Sequence, residues 1–509
     1  MLRISYTLVV FSFLSHTRIP LSFSLPASSS FLPLPLSYSP TPTHTPNIHT
    51  SLLFLPPPSP SLSQLMRDLG ARELMFTSDG QYRISESLRM KPHRDVVHTL
   101  NYQNAHDNPL QRLKREAPHH PLMVMEFWTG WFDHWGEKHL ERNISPEDFS
   151  LELRAILAEG ASVNLYMFHG GTNFGFMNGG NWGEGEERGR TYRSTVSSYD
   201  YDAPLSEWGS VTKKYLELRN LLVETVPESL SLNPLPPLPL SVPTADYGEI
   251  KMTLYISLLS TLQYVPEPHT SGTPIPMEFL PLNKWSGQGF GYILYRTFVP
   301  SSASSLTIHG LKDYGLVMLD LKPIREVGYF DKVTISLPSP SSQGLPSRQL
   351  DILVENGGRV NFGHPLAVRK GISGSVVVDG VTQANWKIYS FEFKNSFIQN
   401  IDRGGVWLRT PAKEDSGPAL FKGSFTIDGT PKDTFIDMQG WNKGVVFVNG
   451  ANLGRYWMKG PPGSLYVPAP LLSQGINKNH VQHCSSAVPV ECPSHIIKNM
   501  ENSPIETTR

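Results

Sequence analysis

The sequence predicts a multidomain protein, α/β in its first part and all-β in its second, on three observations. Between Leu65 and Leu222, apolar runs of strand length alternate with helical patterns, which calls for a parallel sheet with helices outside it. A proline-rich linker, Pro227 to Pro243, then interrupts the chain. Beyond it the apolar runs are short and bounded by Gly, Asn and Pro, the pattern of two related jelly-roll-like sandwiches.

Composition sets the outer limits. At 509 residues the chain can bury two or three substantial cores. Lys plus Arg number 44 against 45 Asp plus Glu, so the net charge of −1 gives no general attraction to nucleic acid or to an anionic membrane, and a small neutral partner fits better. The two cysteines, Cys484 and Cys492, lie near the C-terminus, so no disulfide framework holds the body together. No run approaches the roughly 18 to 20 apolar residues of a membrane span.

Taken in order, Met1 to Leu14 places one basic residue before a short apolar core, which resembles a secretory signal without a clear cleavage site. From Ser15 to about Ser63 the chain is Ser, Pro, Leu and Thr with almost no charge; repeated proline removes backbone donors, and extended chain is expected. Leu65 to Gly70 reads as the last turns of a helix ended by glycine, Glu73 to Asp79 as a strand, and Val96 to Leu100 as a weaker strand. A polar helix around Asn108 to Glu116 precedes the strand Leu122 to Met125. The next helix has a full signature: Ser145 as N-cap, Pro146 at the first position, Glu147 and Asp148 in the first turn, Phe149, Leu153, Ile156 and Leu157 on one face, and Gly160 after the end. Ser162 to Phe168 is a further apolar strand, followed by the turn Gly170 to Gly175. That turn lacks the Walker lysine and the dinucleotide glycine spacing; its small residues let backbone and the Asn173 amide approach a ligand, or simply make a tight turn.

Two stretches carry chemistry. Glu126 stands where an apolar strand emerges, followed by Trp128, Trp131 and Trp135. Sugars present flat C–H faces to aromatic rings, and a carboxylate can attack or stabilise a cationic sugar carbon, so this arrangement suits a sugar pocket; a salt-bridged acid in an aromatic core is the alternative. In Ser198 to Glu207, an extended chain would put Tyr199 and Tyr201 on one side and Asp200 and Asp202 on the other, lining a polar cleft, whereas either aspartate could instead cap a turn. His119-His120 and the histidines near Glu126 fit no zinc spacing, and no cofactor motif is present.

The segments Met125 to Trp135, Asn164 to Phe174 and Ser198 to Leu205, in that order, resemble the signature segments of the retaining β-galactosidases of glycoside hydrolase family 35. The resemblance covers about residues 65 to 478 and implies a (β/α)₈ barrel followed by β-sandwich domains, with the site at the C-terminal ends of the barrel strands. It implies Glu126 as nucleophile, Trp131 as a wall of the galactose pocket, and Tyr166, Tyr199 and Tyr201 near the sugar. It also implies a galactose-terminated carbohydrate as partner and a secreted or lysosomal location. The family's acid/base glutamate stands in an Asn-Glu-Tyr setting at the end of the fourth barrel strand, upstream of Leu65 to Asp79. No such segment occurs in this sequence, so the expectation is the second half of a barrel only, without its acid/base. Asp79, Glu184, Glu186 and Glu187 are the other acids near the presumed site, and each reads better as a solvated or structural acid.

In the all-β part, Gly291 to Phe298 and Ser373 to Gly380 read as strands, and Gly444 to Trp457 as a hairpin turning at Asn449-Gly450; Gly315 to Asp320 repeats that pattern more weakly. Trp441, Tyr456 and Trp457 could bind carbohydrate or pack against the α/β part. After Lys478 the family would continue into a Val/Ile-rich strand, whereas this chain reads Asn479-His-Val-Gln-His-Cys and turns polar. The resulting division is a Pro/Ser-rich leader (1–64), the α/β half-barrel part (65–226), a linker (227–244), first and second sandwich regions (245–400 and 401–478) and a divergent tail (479–509). Asn143-Ile144-Ser145 is a glycosylation sequon with Pro146 behind it.

Overall fold

The computed structural model describes residues 67, 70, 72–81, 96–106, 108–139, 143–183, 192–225, 234–339, 346–362, 367–410, 417–483 and 495–498. The leader, Glu184, Glu186, Glu187, Cys484 and Cys492 lie outside the described residues, as does part of the linker.

The first part is built on four parallel strand paths laid side by side in chain order. The first comprises β1 (Met75–Phe76) and β2 (Asp79–Gly80), the second β3 (Val96–Val97) and β4 (Leu100–Tyr102), followed by β5 (Met123–Trp128) and β6 (Ser162–Tyr166). Helix α1 (Pro109–Glu116) links β4 to β5, and α2 (Pro146–Ala158) links β5 to β6. Both begin as the sequence predicts. Asn108 accepts from the Gln111 amide, and Ser145 Oγ accepts from the Asp148 amide at 3.0 Å, satisfying amides that the first helical turn leaves unpaired. Phe149, Leu153 and Ile156 on α2 bury against Leu100, Val124 and Phe127 of the strands, with Leu218 and Leu221 from α3 (Lys213–Thr225) closing the same core. A short antiparallel pair, β7 (Gly179–Trp182) and β8 (Tyr192–Ser194), leaves this unit and meets Arg359–Val360 of the β part.

Two sandwiches follow. In the first, a six-stranded sheet centred on Tyr292–Pro300 and Ser347–Glu355 packs against a five-stranded sheet centred on Ser305–Lys312. Ile293, Tyr295, Ile308, Ile352 and Trp386 fill the space between them. In the second, a six-stranded sheet running through Ala419–Ile427, Gly475–His483 and Lys443–Val448 packs on the short sheet around Thr434–Asp437. The sequential reading is simpler than the path of the chain: Gly248–Ile250 and Leu254–Ser257 join the sheets of the second sandwich before the chain builds the first. The outer faces of the two large sheets then meet through Tyr292, Leu294, Phe391, Leu420 and Phe447, joining the sandwiches into one apolar body.

The hairpin Lys443–Trp457 turns at Asn449 (φ 51°) and Gly450 (φ 84°), the two positive angles that its two-residue turn demands. Despite its polar sequence, the strand beginning at Gly475 continues to His483 between two neighbours. Main-chain pairing carries it and Val481 joins the core, while the buried Asn479 and Gln482 amides find no hydrogen-bond partner among the described residues. Among the described residues, no helix is long and apolar enough to cross a membrane.

Candidate active site

Because β2, β4, β5 and β6 are parallel, their C-terminal ends share one edge, where ligands of α/β sheets usually bind. Glu126 sits near that end of β5, half-buried. There β5 carries one residue more than either neighbour: Leu100 and Asn101 face Val124 and Glu126, and Val163 and Leu165 face Val124 and Phe127. A bulge of this kind re-aims a side chain, and here it falls at Met125–Glu126. Asn164 pins it by donating to the Met125 carbonyl at 3.0 Å. Nothing in the sequence announces the bulge.

Aromatic rings enclose the carboxylate. Trp128 donates its indole N–H to Glu126 Oε2 at 2.9 Å. Trp131 meets Trp128 edge-on at 5.1 Å and lies 5.9 Å from the Tyr201 ring. Tyr201 in turn meets Tyr166 edge-on at 5.7 Å and Tyr199 at 5.5 Å, and Phe132 stacks on Tyr199 at 5.5 Å. All five candidate site residues therefore lie in one cluster, with Trp128 and Phe132 added. Burial pushes the Tyr199 and Tyr201 phenols well above their ordinary range, and the Glu126 carboxylate pushes both in the same direction. At physiological pH they are neutral hydroxyls.

The tyrosine segment is a turn, which corrects the extended, two-faced reading. Tyr201 and Asp202 have φ of 65° and 49°. Asp200 caps the turn, its carboxylate accepting from the Asp202 amide at 3.1 Å and from the Glu207 amide at 2.6 Å. Asp202 pairs with Lys214 at 2.5 Å. Glycines at 130 and 170 are required by close approach, because a Cβ there would collide with the Tyr201 and Tyr199 carbonyls. Asn173 serves the backbone, donating to Val196 O at 3.2 Å.

Three functional groups escaped sequence reasoning. Lys214 lies in a lysine pair at the start of α3 and looks solvated in sequence, yet is 2 % exposed. Glu207 accepts from Thr172 at 2.5 Å and Ser198 at 2.8 Å, and burial raises its pKa to about 7. Arg455, from the second sandwich, joins Glu355 of the first at 2.9 Å and also bonds Asn178, beyond β6. Its carbonyl accepts from Ser197 at 2.6 Å, directly beneath the tyrosine turn.

The remaining candidates are placed as follows. Asp79 is one strand path beyond β4 from Glu126 and faces His98 at 4.0 Å. Trp441 and Tyr456 are buried at 1 % and 2 % exposure, and Trp457 carries Lys443 and Lys459 at 4.1 and 4.5 Å from its ring centre, so these rings pack and offer no free stacking face. They line a cleft of about 730 Å³ in the second sandwich, larger than the cavity of about 40 Å³ beside Trp131 and Tyr201. The smaller cavity shares Trp131, Phe132 and Tyr201 with the aromatic cluster around Glu126, whereas the larger cleft shares none of the cluster's residues.

Comparison with known proteins identifies the family. Residues 60–225 match the model of glycosyl hydrolases family 35, residues 276–392 that of the first all-beta domain of beta-galactosidase, and residues 418–477 that of its galactose-binding domain. The chain is 43% identical to human beta-galactosidase-1-like protein 2 over 82% of its own length and 62% of that protein's. Rat beta-galactosidase-1-like protein 3 is 39% identical over 81% and 61%, and human beta-galactosidase 34% identical over 79% and 59%. The chain thus spans about three-fifths of the length of the curated relatives it matches. With its three parts matching in order and 43% identity to a relative over 82% of its own length, the chain belongs to glycosyl hydrolases family 35.

Proposed function

We propose that this chain carries the nucleophile side of a retaining galactoside-hydrolase site, with Glu126 attacking the anomeric carbon of a terminal β-galactose. The reading rests on one observation above all: a carboxylate on a strand bulge, oriented by the Trp128 indole and walled by aromatic rings. In this reading the four parallel strand paths are the second half of a (β/α)₈ barrel, residues 65–226, and the two sandwiches that follow support it. Trp131 offers its face to the sugar's C–H groups, while the hydroxyls of Tyr166, Tyr199 and Tyr201 bond sugar oxygens. Attack forms a bond between a Glu126 carboxylate oxygen and the anomeric carbon as the bond to the leaving oxygen breaks; water later releases the sugar. The place of action is secreted or lysosomal.

Ordinary galactosides leave as alkoxides and need a proton from a second carboxyl group about 5 to 5.5 Å from the nucleophile. The 509 residues contain no Asn-Glu-Tyr segment, and the neighbours described around Glu126 are Trp128, Tyr199 and Tyr201. Neutral phenols are poor substitutes for a carboxylic acid. Hydrolysis of unactivated galactosides by this chain is therefore expected to be weak or absent. The test is 2,4-dinitrophenyl β-galactoside, whose leaving group needs no proton, compared with lactose in the wild type and in Glu126→Gln. Dinitrophenolate release that Glu126→Gln abolishes, with little turnover of lactose, supports the reading. Release that survives the substitution removes the nucleophile assignment. Galactose binding without release from either substrate would favour a carbohydrate-binding protein instead.

A further inference from the structure

Tyr201 and Asp202, consecutive residues of the aromatic wall, both occupy the left-handed region although neither is glycine. L-residues hold that conformation only where their surroundings over-determine it. Asp200 caps the turn from within, and Lys214 anchors it from outside. Its ammonium donates to Thr129 O at 2.8 Å, Asn143 Oδ1 at 2.9 Å, Asp202 O at 3.0 Å and Asp202 Oδ2 at 2.5 Å. Thr129 is the first residue after β5, three residues beyond Glu126. Lys214 therefore ties the turn, by main chain and side chain together, to the end of the strand that carries the carboxylate. The fit is close, since the Tyr201 carbonyl leaves no room for a side chain at the adjacent Gly130. Asn143 completes the triangle by accepting from the same ammonium, so the sequon asparagine is part of the scaffold.

We propose that Lys214, acting through Asp202 and Asn143, is the positioning residue of the sugar wall: it locks the Tyr201 turn onto β5 and so fixes the Tyr201 ring between Trp131 and Tyr166 beside Glu126. The functional consequence rests on the galactoside reading above; the structural role does not. A buried ammonium with two main-chain and two side-chain oxygen partners is needed here because a turn with two left-handed residues relaxes once released, and a wall displaced by an ångström no longer matches a pyranose ring. The group touches no substrate and acts only through the turn.

The test uses the full chain with Lys214→Met and the double variant Asp202→Asn/Lys214→Met. The single variant leaves a carboxylate without its cation and lowers Tm; the double variant removes both charges and recovers much of that loss. In both, amides of residues 199–205 are expected to exchange with deuterium at least tenfold faster than in the wild type, while the strand Tyr292–Pro300 is unchanged. The galactose-configured iminosugar 1-deoxygalactonojirimycin is expected to bind at least tenfold more weakly to both. Recovery of wild-type exchange along with Tm in the double variant would mean that the pair is merely structural and overturns the proposal. Should the double variant not fold, Asn143→Ala removes one leg of the triangle and is expected to speed the same amides a few-fold; no change there overturns the proposal equally. If the wild type shows no Glu126-dependent iminosugar binding, the galactoside reading fails, and the exchange comparison alone decides the positioning role.

Discussion

Trp128 stands two residues beyond Glu126 on the same strand and donates its indole N–H to the carboxylate at 2.9 Å. Alternate residues of a strand share a face, so one strand supplies both the acid and the group that orients it. Among the described residues one carboxylate oxygen is held this way, and in the galactoside reading proposed above the other is the one that attacks.

Replacing Trp128 with Phe keeps an aromatic ring and removes the donor. A hydrogen bond to a charged group contributes about 1.5–3 kcal/mol. The variant is expected to release dinitrophenolate from the activated galactoside roughly ten- to a hundredfold more slowly, with KM changed little. Steady-state kinetics check this, and an unchanged kcat would mean that Glu126 is oriented by the bulge alone.

Arg455→Met should be among the most damaging single substitutions. The guanidinium is buried among Glu355, Asn178 and the Asn356 carbonyl and lies 4.7 Å from the Phe176 ring centre, so it joins both sandwiches to the segment after β6. Removing one partner of a buried ion pair costs about 3–5 kcal/mol. Lys443 still faces Glu355 at 2.7 Å and softens the loss. Urea unfolding is expected to split into separate transitions for the α/β and sandwich parts; a single transition at the wild-type midpoint would refute the joint's role.

Stability is expected to fall as pH rises from about 5 toward 8. Burial raises the Glu207 pKa to about 7, and it raises Asp200 and Asp202 as well. For a carboxyl whose folded pKa exceeds its unfolded value, the native state holds the proton more tightly, so stability is lost as pH climbs from the unfolded to the folded pKa. His139, raised chiefly by its hydrogen bond to Asp133, also loses its contribution with rising pH. Glu207→Gln should flatten the slope of Tm against pH between 5 and 8. A wild-type Tm that rises over this interval would contradict the buried-acid account.

The strand Gly475–His483 should be improvable. Asn479 and Gln482 are 0 % exposed, and both polar side-chain atoms of each lack a hydrogen-bond partner among the described residues. An unsatisfied buried polar group costs about 1–3 kcal/mol. Gln482→Leu and Asn479→Val are each expected to raise stability by roughly 1 kcal/mol or more, measured by chemical denaturation. A loss in both would mean that the amides have partners after all.

Much of this was legible in the chain itself. The Ser145 cap and the apolar face of α2, the alternation of strands and helices, and the Asn449-Gly450 turn are local, because cap, period and turn chemistry act over a few residues. Glu126, Trp131, Tyr166, Tyr199 and Tyr201 were singled out through the family resemblance of three ordered segments, and the structure gathers these five into one cluster. What only the tertiary structure decided depends on partners distant in sequence. Lys214 reads as a surface lysine until Asp202, Asn143 and Thr129 close around it, and Arg455 reads as a hairpin residue until Glu355 and Asn178 meet it. The bulge at Met125–Glu126 arises from register with two neighbouring strands, and the left-handed Tyr201–Asp202 turn from a cation beneath it. Sequence determined which groups could do the chemistry; burial and long-range pairing decided where they point and what holds them there.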